Sequence, residues 1–69
     1  MQLVRVALAV PLMRFFDYWL PADLQPVIGG RVIVPFGTQK RVGIVIEFPQ
    51  KSDVPAEQIK TIIACLDQE

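Results

Sequence analysis

Four of the six aromatic residues lie within five positions of the chain, and an acidic residue lies among them. This segment runs Phe15-Phe16-Asp17-Tyr18-Trp19. Aromatic faces stack on any base, at about 1–3 kcal/mol per stacked base. A carboxylate accepts hydrogen bonds from a base edge or a free hydroxyl and disfavours a further phosphate. The segment therefore has two interpretations: a pocket for a strand end that carries a free hydroxyl, or an aromatic pair that belongs to the core.

The residue types disfavour catalysis. The chain has no histidine and a single cysteine, Cys65. A nucleophilic triad requires a base such as histidine, zinc prefers histidine and cysteine ligands, and a phosphate loop requires a glycine-rich motif that is not present. Cys65 lies in an apolar run without a cationic neighbour, which predicts a buried structural thiol. We predict no enzymatic activity, no metal and no cofactor.

Length and charge restrict the class of protein further. The 69 residues, 52% of them apolar, predict one domain over residues 1–69 and exclude a disordered tail. Zero formal net charge argues against a histone-like or polybasic nucleic-acid binder. So small a core predicts a module of a larger protein or an oligomer. A single thiol cannot close an internal disulfide, which favours the cytoplasm, and the longest apolar run, residues 6–13, is too short to cross a membrane.

Alternating apolar residues predict four strands, at Leu3–Val10, Phe15–Leu20, Arg31–Val34 and Val42–Phe48. The first two are expected to pair as a hairpin across a turn at residues 11–14. Residues 35–37 are expected to close the third strand, and residues 38–41 to form a polar turn. The fourth strand is expected to carry its apolar residues on one face, namely Val42, Ile44, Ile46 and Phe48.

The last apolar segment, Ile59–Leu66, suits either a strand or a helix, and its isoleucine pair and threonine favour a strand. A single helical turn is expected at residues 55–58. The predicted fold is mainly β, on the border of α+β. It is a small bent sheet or partly open barrel of about five strands with at most one short helical turn.

Several segments, taken in order, resemble one known family. They are Val6-Ala7-Leu8 with Val10-Pro11-Leu12, Phe16-Asp17-Tyr18 ahead of Leu20-Pro21, Gly30-Arg31-Val32-Ile33-Val34-Pro35-Phe36-Gly37, Gly43-Ile44-Val45, and Ile59-Lys60 leading to Leu66-Asp67. Together they resemble the N-terminal domain of the PriA (primosomal protein N-prime) family of bacterial replication-restart helicases. The resemblance covers essentially the whole chain.

The resemblance implies a noncatalytic DNA-binding module, excised from a larger helicase, that binds the three-prime terminus of a nascent strand at an arrested fork regardless of base. The implied site residues are Phe16, Asp17, Tyr18, Gly37 and Lys60. The partners it implies are forked DNA and other primosome or single-strand-binding proteins, in the bacterial cytoplasm at the nucleoid. The helicase lobes and the zinc sites of that family lie outside these residues.

Each implied site residue has a physical role and a structural alternative. An aromatic ring of Phe16 or Tyr18 would wall or stack the terminal base, and Asp17 would accept hydrogen bonds from the terminal nucleotide. Gly37 would allow close approach of the backbone, or simply supply the positive φ of a turn. Lys60 would balance Asp17 and face a phosphate, or remain solvated. The alternative function is a small β-barrel for protein–protein docking, with the aromatics buried and Asp17 as a turn acid.

Overall fold

The computed structural model describes residues 2–68, which form five strands and one short helical turn. The strands are β1 (Gln2–Ala9), β2 (Met13–Leu20), β3 (Arg31–Phe36), β4 (Gln39–Glu47) and β5 (Ala64–Cys65), and the 3-10 turn is Ala56–Gln58. The mainly-β class is confirmed. Within residues 2–68, none of the helical structure has the length and hydropathy that crossing a bilayer requires.

The five strands form one open antiparallel sheet in the order β2-β1-β4-β3-β5. The segment before β5 spans the gap between β2 and β3. The backbone N–H of Trp19 donates to the carbonyl oxygen of Lys60 at 2.7 Å, and the N–H of Ile62 donates back to Trp19 at 3.1 Å. One residue further, the N–H of Ile63 donates to Ile33 of β3 at 2.8 Å. These bonds bend the sheet around its core, as the sequence predicted.

The core lies on one face of this bent sheet. On β1 the alternation of Val4, Val6 and Leu8 predicts the buried face, and all three are fully enclosed. The other buried members of the core cluster are Tyr18, Leu20, Val32, Val34, Val45 and Ile62. Because Ile62 enters the core, the segment that spans the gap is fixed by apolar packing as well as by hydrogen bonds.

The hairpin between β1 and β2 forms as predicted, but its turn is shorter than predicted. Ala9 pairs with Met13, so only residues 10–12 lie between the strands. The N–H of Val10 donates to the carbonyl of Leu12 at 3.0 Å and closes the turn. The shorter turn changes the register of the whole hairpin and places Arg5 opposite Asp17.

The second hairpin also has a tighter turn than the sequence predicted. Residues 35–36 continue β3, and β4 begins at Gln39, so only Gly37 and Thr38 form the turn. The backbones of Arg31 and Ile33 point toward β5. Pro35 is the next alternate residue of β3, so its nitrogen points to the same side. Since β5 pairs only with residues 32–33, the missing N–H of Pro35 costs no ladder bond.

A bulge decides which side chains of β4 reach the core. Arg5 pairs with Glu47 and Val6 pairs with Val45, so Ile46 is an extra residue between them. The buried positions of β4 are Gly43 and Val45, whereas Val42 and Ile44 are exposed on the opposite face. The prediction that Val42, Ile44, Ile46 and Phe48 share one face is wrong beyond the bulge, because the extra residue reverses the alternation and Phe48 packs against the core.

The last apolar segment is extended, but most of it is not a regular strand. Only Ala64–Cys65 pairs with β3, and Thr61 forms an isolated parallel bridge with Trp19. The segment leaves one edge of the sheet for another, so it cannot form a continuous ladder with either. The predicted helical turn near residue 56 is confirmed as the 3-10 turn.

Candidate functional site

A cavity of about 470 Å³ opens at the free edge of β2. It lies between that edge, the end of β3 with its turn, and the loop that leads from β4 to the last segment. All five residues implied by the resemblance, Phe16, Asp17, Tyr18, Gly37 and Lys60, line it, together with Phe15, Phe36 and Arg5. Residues separated by more than forty positions thus meet at one site, which has the volume of a small-molecule pocket.

The alternation of β2 assigns the aromatic residues to two faces. Tyr18 is 4% exposed and Phe16 is half-buried against the core cluster. Phe15 is 63% exposed, and Trp19 is half-buried on the same face as Asp17. Residues from both faces line the cavity because β2 is an edge strand with no sheet partner on that side.

The two core-side rings of β2, those of Tyr18 and Phe16, differ in how tightly their contacts hold them. The hydroxyl of Tyr18 donates to the carbonyl oxygen of Pro35 at 3.0 Å, and burial raises the pKa of this phenol. This bond ties β2 to β3 across the core and leaves Tyr18 as a fixed wall. Phe16 meets Phe36 edge-to-face, with ring centroids 5.3 Å apart. Phe16 and Phe36 therefore form the core-side part of the aromatic lining that still has an accessible surface.

The carboxylate of Asp17 is already engaged. Arg5 donates to it from Nε at 2.8 Å and from Nη2 at 3.2 Å, and the hydroxyl of Ser52 donates to it at 2.5 Å. The side chain of Asp17 is 8% exposed. The hydrogen bonds from Arg5, supported by Ser52, hold the pKa of Asp17 below its usual range, and burial opposes them. Asp17 is therefore ionised at neutral pH and fixed in position.

Arg5 is the charge partner that the sequence analysis did not find. It also donates from Nη1 to Glu47 at 2.8 Å, and the hydrogen bond to Asp17 raises the pKa of its guanidinium. Among the ion pairs within residues 2–68, Asp17 is balanced by Arg5 and not by Lys60. The sequence analysis could have identified Arg5 only from the correct register of the β1–β2 hairpin. A four-residue turn at residues 11–14 would have paired Arg5 with Leu20.

The backbone of Asp17 faces the cavity. Both backbone groups of Trp19 bond outward, to Lys60 and Ile62, and not to β1. Backbone directions alternate along a strand, so the N–H and C=O of Asp17 point to the same free edge as those of Trp19. Within residues 2–68 no backbone bond occupies them there. A donor and an acceptor thus stand side by side at the cavity.

Gly37 and Lys60 complete the far wall. Gly37 has φ of +60°, which confirms the turn alternative, and a Cβ built on it meets no atom within 4 Å. A side chain at this position would therefore enter open space at the cavity. Lys60 is exposed and lines the cavity. Its backbone carbonyl accepts a hydrogen bond from the N–H of Trp19, which fixes the position of the backbone from which the side chain extends.

A second and larger cavity of about 820 Å³ adjoins the first. Val54 lines both cavities, and Ser52, which bonds to Asp17, lines the second. Two aromatic residues lie in its wall, Trp19 and Phe48. The indole N–H of Trp19 donates to the carbonyl of Ala56 at 3.4 Å, which orients the ring against the 3-10 turn. The sequence analysis did not predict this cavity.

Groups that commonly bind metals are dispersed. Within residues 2–68, no three side chains of cysteine, aspartate or glutamate come together in a way that suits a metal ion. Cys65 lies far from the cavities in the β3–β5 pair, half-buried, and burial raises the pKa of its thiol. The thiol was predicted to be buried, whereas Cys65 is only partly buried because it lies in the short β5 strand at the edge of the sheet.

Comparison with protein families gives one match, which covers almost the whole chain. Residues 5–69 match the family described as the 3′ DNA-binding domain (3′BD) of PriA. The matched range includes every residue of the first cavity.

Several curated proteins are similar to the chain. A replication restart protein PriA of Haemophilus influenzae is 63% identical over 67 residues, which cover 97% of this chain and 9% of that protein. A PriA of Buchnera aphidicola is 38% identical over 69 residues, covering 100% of this chain and 10% of that protein. A PriA of Bacillus subtilis is 41% identical over 56 residues, covering 78% and 7%. The chain thus spans about a tenth of the length of the curated relatives it matches.

Proposed function

The chain belongs to the family of PriA 3′ DNA-binding domains, and from this premise we propose that it binds the three-prime terminus of a DNA strand without catalysing a reaction. The terminal nucleotide would occupy the first cavity. In the cell the strand would be the nascent strand at an arrested replication fork, and binding would serve replication restart. The observation that carries the proposal is the convergence of Phe16, Asp17, Tyr18, Gly37 and Lys60 on this one cavity.

We assign a role in binding to the groups of this lining. The accessible ring of Phe16, held edge-to-face by Phe36, stacks the terminal base. The backbone N–H and C=O of Asp17 contact the base edge. Because every base presents donors or acceptors and a stacking face, this combination tolerates any base.

Selection of a free end follows from the shape and charge of the cavity. The open space beside Gly37 admits the sugar and its three-prime hydroxyl. A strand that continues into another phosphate would bring a further negative charge to a lining that already contains the carboxylates of Asp17 and Asp53. Lys60 faces the phosphate on the other side of the terminal nucleotide.

A titration of one short single strand in three forms tests this proposal. The forms end in a three-prime hydroxyl, in a three-prime phosphate, or present only a five-prime end. We expect tight binding of the hydroxyl form alone, with a slope of log K against log salt of about −2, since only two or three phosphates are held. Equal binding of all three forms would overturn end recognition.

A matched pair of lysine variants locates the site. Lys60→Ala should weaken binding of the hydroxyl form, whereas Lys40→Ala, an exposed lysine that lines neither cavity, should not. Equal effects of the two substitutions would place the strand elsewhere on the domain.

Protein–protein docking is the second candidate, and a different face of the sheet favours it. On the face away from the core, Phe15, Ala7 and Ile44 lie in one row across three strands, and Phe15 and Ile44 are exposed. The relatives are roughly ten times longer than this chain, so the remainder of such a polypeptide is the occupant we favour for this face. Phe15 also lines the first cavity, so the two surfaces meet there. Strand binding that survives Ile44→Lys would show that the Ile44 end of this row is not needed for DNA.

A further inference from the structure

We propose that the second cavity is a subsite for the nucleotide that precedes the terminal one. This inference rests on the proposed function of the first cavity and extends it by one nucleotide. The domain would then read the last two nucleotides of a strand, and not the terminus alone.

Continuity between the cavities supports this assignment. Val54 lines both, and Ser52 lines the second while it donates to Asp17 in the first. Trp19 lies two residues after Asp17 on the same face of β2, which is about 7 Å at a rise of 3.3–3.4 Å per residue. Because Val54 lines both cavities, a strand whose last base lies in the first cavity can bring its preceding base to Trp19 in the second.

The chemistry of the lining fits a nucleotide. Trp19 and Phe48 offer aromatic surfaces on which a base can stack, and Gln2 and Gln50 offer amides for base edges. Lys51 is the charged residue of this lining among the residues that the structure describes, and no carboxylate accompanies it. A cation in a lining that contains no carboxylate complements a phosphate, whereas it gives no advantage to an apolar peptide.

The order of the subsites follows from their charges. Two carboxylates, those of Asp17 and the exposed Asp53, line the first cavity beside Arg5 and Lys60. They favour a hydroxyl terminus, which carries no phosphate beyond the sugar. The second contains Lys51, next to the phosphate that joins the two nucleotides. A strand in the reverse order would place the phosphate on the five-prime side of its penultimate nucleotide in the first cavity, among these carboxylates.

Strands with one missing base test the subsite while their length and charge stay constant. Four strands ending in a three-prime hydroxyl are compared: intact, abasic at the last position, abasic at the penultimate position, and abasic at the fourth position from the end. We expect the penultimate abasic strand to bind about fivefold more weakly or worse, which is the lower limit for one stacked base. The strand that is abasic at the fourth position should bind like the intact one.

Trp19 gives an independent readout because it is the only tryptophan. The intact strand should quench its fluorescence, and the penultimate abasic strand should not. Lys51→Ala should lower affinity for the intact strand, with Lys40→Ala as the matched control.

The outcomes separate the two proposals. Weak binding of the strand that is abasic at its end, with no effect of the penultimate base and no quenching, overturns the second subsite and leaves the first intact. If neither the terminal nor the penultimate base affects binding, the proposed function itself fails. Quenching of Trp19 together with a loss at the penultimate position supports both.

Discussion

Two arginine–aspartate pairs of the same geometry stand at opposite ends of the sheet in different surroundings. Arg5 and Asp17 join β1 to β2 beside the first cavity, and Arg31 and Asp67 join the start of β3 to the chain after β5. The side chain of Asp17 is 8% exposed, whereas that of Asp67 is 40% exposed. Ser52 adds a further donor to Asp17, and the backbone N–H of Arg31 adds one to Asp67.

The difference shows that one interaction performs two tasks. At the β3 end the pair fastens a chain segment to the sheet in contact with solvent, where water and salt can replace it. At the β2 end the pair fixes an ionised carboxylate at the mouth of a cavity, and little solvent remains to replace it. Breaking the Arg5–Asp17 pair therefore leaves the poorly hydrated carboxylate of Asp17 without its charged partner.

The largest loss of stability is expected when each arginine is replaced in turn. Arg5→Met should lower the free energy of unfolding by about 1–3 kcal/mol, because the nearly buried Asp17 keeps only Ser52. It should also weaken binding of a strand with a free three-prime end. Arg31→Met should cost less stability and leave strand binding unchanged. Urea unfolding and the strand titration measure both, and equal stability losses would mean that the two pairs do not differ in kind.

A loss of stability of similar or smaller size is expected from substituting two glycines, one near each pair. At Gly30 a Cβ would lie 2.9 Å from the carbonyl oxygen of Val27 and 3.3 Å from the Cβ of Asp67. Gly30→Ala should therefore cost about 1–3 kcal/mol of stability through overpacking, with strand binding unaltered in the folded protein. Gly37→Ala should cost about 1–2 kcal/mol through its positive φ and should weaken strand binding, because the methyl group enters the cavity.

Melting curves and the strand titration at a temperature where both variants are folded separate these effects. A Gly37→Ala variant that binds strands like the parent protein would show that the turn glycine is needed only for its backbone conformation.

The smallest effect is expected from acid. The hydrogen bonds from Arg31 lower the pKa of Asp67 from its ordinary value of 3.8 to about 2, and the pKa of Asp17 is lowered by Arg5. A carboxylate with a lowered folded-state pKa stabilises the protein above its unfolded-state pKa. That stability is lost as the pH falls from about 4 toward about 2.

Thermal melts between pH 5 and pH 2 show which pair carries the acid dependence. Arg31→Met should flatten the fall in melting temperature in part, since Asp67 keeps the backbone N–H of Arg31 and Asp17 keeps Arg5. An unchanged acid profile in Arg31→Met would show that the exposed pair contributes nothing to stability.

The presence of the strands was more predictable than the residues at which they end and the register in which they pair. Period-two alternation identified β1 to β4 and the buried face of β1, because one face of each strand must meet the core. The turns were each predicted too long. One residue of difference in a turn changes which residues face each other, so the pairing of Arg5 with Asp17 was not visible in the sequence.

The candidate site was predicted as a set of residues, and its geometry was not. The resemblance pointed to Phe16, Asp17, Tyr18, Gly37 and Lys60, and these residues meet at one cavity. Their roles changed once their contacts were known. Tyr18 is bound to Pro35, and the side chain of Asp17 is held by Arg5, so its backbone is the part that faces the cavity.

By itself the sequence determined the class of the fold, the apolar alternation that builds its core, and the family to which the chain belongs. These are local properties of the chain or sums over it, so they can be read without knowing which residues contact each other. Only the tertiary structure decided that Ile46 forms a bulge, that Lys60 is carried to the edge of β2, and that a second cavity opens beside Trp19. Each of these depends on contacts between residues distant in the chain, whose register is set by packing of the whole sheet.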